Sequence, residues 1–211
     1  MNSKWIIMGV VILLLVAFLI WLFVASSKPL PGQKIDDLGR KHVPVGTKVD
    51  YNSNPPTSGD HYADWVRSGV YDIPRDDGYL IHSLEHGYVI MSYNCARKET
   101  SNKRQVTSIV YAHGTEEEAS SGAEATSSSE LSAAFKSEDC HKLVDQLISI
   151  YEKKGKTRLI VTPRPELDAR IALTAWNYID KFDAFDGDRI EKFIDTHLNQ
   201  GPEKTMETPG K

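Results

Sequence analysis

Four of the seven histidines fall in one stretch of the chain: His42, His61, His82 and His86. The last two sit in LIHSLEHGYVI, residues 80–90, four apart, with Glu85 directly before the second. Neutral imidazole is a common transition-metal ligand, and imidazole or thioether donor sets suit copper as well as zinc. In an extended stretch, His82 and His86 share a face about 6.5–7 Å apart; in one helical turn, i and i+4 also meet. Either geometry permits a pair, and LIHSLEHGYVI is expected to begin a core strand with the histidines at its mouth. His61, at the end of the turn-rich PPTSGDH segment, is the best third ligand, and His42 or Met91 completes the set. Glu85 and Asp60 are placed to orient the rings rather than to bind the ion.

Other chemistries fit less well. The zinc-protease pattern H-E-x-x-H needs the glutamate directly after the first histidine, and here it precedes the second. Ser58 and Ser83 lie near histidines but in no nucleophile elbow, so a hydrolase using His82 or His86 as base is the weaker alternative. Cys95 and Cys140 form no C-x-x-C pair, and no glycine-rich phosphate loop is present. The bland alternative is that these histidines simply hydrogen-bond backbone carbonyls and hold loops together.

The elements that must position these residues can be read along the 211-residue chain. Trp5–Ala25 is an uncharged apolar run of 21 residues. About 20 suffice to cross a bilayer, and indoles near both ends favour the interface. Residues 1–27 are therefore expected to be a transmembrane signal-anchor, although the charges flanking the run leave its orientation ambiguous. Residues 28–41 read as a juxtamembrane linker. The domain is expected over 42–203, and 204–211 as a loose tail.

From His42 to Gly78 turn chemistry dominates, with Tyr51, Tyr62, Trp65 and Tyr71 as packing anchors or, alternatively, a recognition surface. Strands are predicted at Tyr88–Tyr93, Ser108–His113, Arg158–Thr162 and Ile171–Trp176. The acidic, Ser-rich run 115–132 reads as a mobile insertion. Helices are predicted over 140–153, capped by Asp139 and stopped by Gly155, and after the Asp186 cap with Ile190, Phe193, Ile194 and His197 or Leu198 on one face. The fold class expected is α+β: an N-terminal transmembrane helix, a long loop-rich segment, and one small mixed-sheet domain with two covering helices.

Cys95 and Cys140 are the only cysteines, and a disulfide between them would close a loop worth about 3–4 kcal/mol, outside the reducing cytoplasm. Of the 25 basic residues only Lys4 precedes the apolar run, so 24 face 29 acidic ones beyond it, a net charge of −5. With no basic stripe carrying aromatics, nucleic acid is excluded as the expected partner.

The motifs YNSNPPTSGDHY, GVYD, LIHSLEHGYVIMSY, TPRP with IALTAW, and NQGPE together resemble a bacterial family of membrane-anchored proteins that carries only a domain-of-unknown-function label. The resemblance covers about Val43 to Glu203. It implies a single anchor and a domain outside the cytoplasmic membrane, and it brings no reaction, substrate or partner. Asp60 departs from the family pattern, which has proline there, and the 115–132 insertion is longer than typical. Two functions of different class follow as expectations. One is a His-rich copper or zinc site in an extracytoplasmic domain. The other is a metal-free binding or scaffold module with an envelope protein partner. No motif identifies an enzyme.

Overall fold

The computed structural model describes residues 3–26, 30–97 and 132–203, with the side chains of residues 3, 6 and 23–26 left aside. The predicted strand Ser108–His113, the insertion apart from Ser132, and the tail 204–211 lie outside the described residues. The chain divides into two compact units, Met1–Pro31 and Gly32–Lys211.

The first unit holds helix α1 (Ser3–Ser26), which no proline interrupts. Among the described residues no helix is long and apolar enough to cross a membrane. The transmembrane part of the expected fold class is corrected accordingly.

The second unit is mixed α+β, built on β1 (Gln33–Lys34), β2 (Gly69–Val70), β3 (Val89–Tyr93), β4 (Leu159–Pro163), β5 (Ile171–Ala175) and β6 (Tyr178–Phe182). They form one sheet in the order β1-β6-β5-β3-β4-β2. The β3/β4 and β4/β2 pairs are parallel and the others antiparallel. Helices α2 (Asp77–Glu85), α3 (Glu138–Lys153) and α4 (Gly187–His197) cover it.

Side chains alternate between the two sheet faces. Val89, Met91 and Tyr93 of β3, with Leu159, Val161, Ile171 and Leu173, pack against Leu143 and Leu147 of α3 and Ile190, Phe193 and Ile194 of α4. On the other face Ile90 and Ile160 meet Leu80 and Leu84 of α2, together with Trp65, Tyr71 and Trp176. The Cys95–Cys140 disulfide, with Cα atoms 5.3 Å apart, ties the chain after β3 to the first turn of α3.

Four local expectations are revised. LIHSLEHG does not begin a strand. Asp76 accepts the Gly78 N–H as N-cap, and Leu80, Ile81 and Leu84 follow helical spacing. Gly87 at φ +81° then ends the turn before β3 begins. The domain therefore has a third covering helix, on the face opposite the other two. Helix α3 is capped by Ser137, whose Oγ accepts from the Cys140 N–H, two residues earlier than the expected Asp139. Strand β6 went unforeseen because YIDKF buries a single residue, Ile179.

The expected linker is also partly structural. Gln33–Lys34 pairs with β6, and Asp37 accepts from Trp176 Nε1 and Asn177 Nδ2 at the β5–β6 turn.

Candidate metal centre

Three segments converge on the outer end of α2. The first carries His42 and the second His61. They are joined by an isolated parallel bridge in which Val43 N–H donates to the His61 carbonyl and His61 N–H to that of Lys41. The turn before His61 is fixed by Gly59, whose N–H donates to the Gly39 carbonyl. Ser58 Oγ accepts from the Leu38 N–H. The third segment is α2 itself, which presents His82 and His86 one turn apart.

The rings pack together. His42, His61 and His82 have centroids 4.9–5.1 Å apart in every pairing, and His82 and His86 are 4.6 Å apart. Trp65 stacks on His82 and meets His86 edge-on. His61, His82, His86 and Glu85 are all buried, whereas the His42 side chain is 49% exposed, so the cluster opens to solvent on that side.

Hydrogen bonds set the orientation of each ring. His82 Nδ1–H donates to the Tyr62 carbonyl at 2.7 Å, because a carbonyl can only accept. Nε2 of His82 therefore carries the lone pair, and the Nε2–H of His86 donates to it at 3.1 Å. Burial pushes the His82 pKa down, and the neighbouring His86, His61 and His42 push the same way against the Tyr62 bond. His82 is thus held as a neutral ring with one nitrogen available.

His61 Nδ1 bonds the Gly59 carbonyl at 2.8 Å and its Nε2 bonds Glu85 Oε2 at 3.0 Å. Glu85 also lies 3.4 Å from Arg40 and 3.8 Å from His42.

Donor atoms of His42, His61 and His82 all lie within 4.8 Å of one another, as do those of His82, His86 and Glu203. Such spacing suits a transition metal with imidazole ligands and, in the second group, a carboxylate. The predicted His61, His82, His86 and His42 are therefore brought together.

Met91 is not. It lies in β3 with its side chain in the core against α3 and α4, so the sheet itself separates it from the histidines. The Asp60 carboxylate belongs to neither donor group, and its backbone carbonyl accepts from Tyr51 OH.

Each of the four aromatics makes contacts within the domain, Tyr62 buried and Tyr51, Trp65 and Tyr71 half-buried. Tyr51 lies against Gly59, and burial first, then nearby Asp77 and Asp76, raises its hydroxyl to about 12. Tyr62 is buried against Tyr79, Trp65 caps the imidazoles, and Tyr71 donates its hydroxyl to the Arg67 carbonyl. Both serines near the histidines serve the backbone. Ser83 Oγ donates to the Val66 carbonyl and accepts its N–H.

Glu203 was not anticipated. Its N–H donates to the Glu85 carbonyl and its Oε2 stands 3.7 Å from His86 Nε2. The strap that carries it crosses the end of α2 so closely that a Cβ on Gly201 would sit 2.2 Å from the Glu85 oxygen. The NQGPE motif was the available signal, but nothing in it says where the strap lands.

Comparison with known proteins gives a family and no function. No curated protein and no solved structure matches the chain. A family described as "Protein of unknown function (DUF3105)" matches residues 42–128 and 130–210, a span that includes all four histidines and Glu203. The chain belongs to the DUF3105 family.

Proposed function

We propose that the domain binds one divalent transition-metal ion, zinc or copper(II), within the cluster formed by His42, His61, His82 and His86. The observation that carries this reading is the convergence of donors from separate segments into two overlapping groups, His42 with His61 and His82, and His82 with His86 and Glu203, within each of which the donor atoms lie within 4.8 Å of one another. The Tyr62 carbonyl supports it by fixing the His82 tautomer, the role a backbone acceptor plays for a metal-bound histidine. Zn–N bonds of about 2.0–2.1 Å around a tetrahedron imply N···N edges of about 3.3–3.4 Å. The His82–His86 separation of 3.1 Å is close to that.

Glu85 tunes the site. It holds His61 Nε2 until the ion arrives, and binding displaces the proton shared between them. With Met91 across the sheet and both cysteines in a disulfide, the described donors are nitrogen and oxygen, which favours zinc or copper(II) over copper(I). The disulfide also supports a place for the domain outside the reducing cytoplasm. The serine-hydrolase alternative loses its hydroxyls to backbone bonds.

Isothermal titration of the full chain with Zn(II) tests the reading. About one ion per chain should bind, and His82→Ala should lose it. Equal binding by the two proteins, or none by either, would leave the histidines as a hydrogen-bonded scaffold.

A further inference from the structure

The two donor groups overlap in a single residue. His42, His61 and His82 form one; His82, His86 and Glu203 form the other. His82 can serve only one ion at a time, because its Nδ1–H is committed to Tyr62 and Nε2 carries its single lone pair. The two groups are therefore alternatives and not two independent sites.

Each has one donor at the surface: the His42 side chain is 49% exposed and that of Glu203 45%, while His61, His82 and His86 are buried. Glu203 is held in place by its own N–H to the Glu85 carbonyl and by Asn199 N–H to the Gly87 carbonyl, so the strap brings it to α2 independently of any ion.

We propose that the centre is a transfer site in which one divalent ion occupies two alternative positions, exchanging partners about His82. One position is a three-imidazole set entered past His42. The other is a two-imidazole, one-carboxylate set that opens past Glu203. No bond other than metal–ligand bonds is made or broken, and the ion keeps its charge throughout. This inference rests on the metal-site reading above and adds the second position and Glu203 as a ligand.

Copper(II) is the probe, titrated into the full chain and followed by electron paramagnetic resonance, which separates three-nitrogen from two-nitrogen, one-oxygen coordination. Wild type should bind one ion per chain. His42→Ala and Glu203→Gln should each still bind one ion, but with different spectra: nitrogen and oxygen donors in the first, nitrogen donors alone in the second. The double variant should lose binding. Both substitutions fall at half-exposed positions, and unchanged circular dichroism confirms folding.

Two ions per chain in wild type would overturn the proposal. So would loss of all binding in one single variant with an unchanged spectrum in the other, since that describes one fixed position. Absence of any copper on the wild-type chain would instead defeat the metal-site reading, and this inference with it.

Discussion

The two faces of the central sheet are built by opposite rules. Toward α3 and α4 the interface is almost wholly aliphatic and aromatic, closed by a disulfide, and its residues do nothing but pack. Toward the end of α2 the chain buries three histidines and a glutamate beside Trp65. Burying such groups costs several kcal/mol unless each is partnered, and here backbone carbonyls, Glu85 and neighbouring rings supply the partners. One side of the sheet is an apolar core, and the other holds a buried cluster of partnered polar rings.

The comparison can be broken in order of effect. Phe193→Ala, which empties the fully buried centre of α4, should lower stability by about 3–5 kcal/mol in urea melts. It should leave zinc stoichiometry unchanged; loss of zinc from protein that is still folded would show that the faces are not separable. Reducing the Cys95–Cys140 bond, which closes a loop with a sequence separation of 45, should cost about 3–4 kcal/mol, again without altering the metal site. A Tm unmoved by reductant would mean that the disulfide face owes its stability to packing alone.

Acid should act on the other face. The folded His82 pKa lies below its unfolded 6.5, so the unfolded chain takes up the proton first. The stability this neutral ring contributes is complete above about pH 6.5 and is lost as pH falls toward the folded value, at up to about 1.4 kcal/mol per pH unit. His82→Gln should flatten the Tm-against-pH curve in that window, and an unaltered slope would assign the acid sensitivity elsewhere. The smallest effect is expected of Met91→Leu: under about 1.5 kcal/mol of stability and no change in metal affinity. A weakened affinity there would restore Met91 as a ligand and contradict the separation of the faces.

How much of this was legible in the sequence follows from how local each signal is. Strands β3, β4 and β5 announce themselves as short runs of β-branched and apolar residues, and α4 by the Asp186 cap and its apolar face. Helix α2 was masked because its apolar residues run almost directly into YVIMSY, so one long strand seemed continuous across Gly87.

Met91 was a ligand candidate by its thioether alone. Yet strand parity alone puts residue 91 opposite 82 and 86, and the sheet then keeps it there. The histidines and Glu85 were legible from residue type and spacing. Glu203 was not, because a C-terminal strap reaches α2 only through backbone bonds to Glu85 and Gly87 that no local pattern encodes.

Metal content of the full chain as isolated, purified without a histidine tag or chelator and read by elemental mass spectrometry, tests the central claim most directly. The account predicts close to one zinc or copper per chain, lost when His61 and His82 are both changed to alanine. A wild-type chain that is folded, oxidised at Cys95–Cys140 and free of both metals would contradict it.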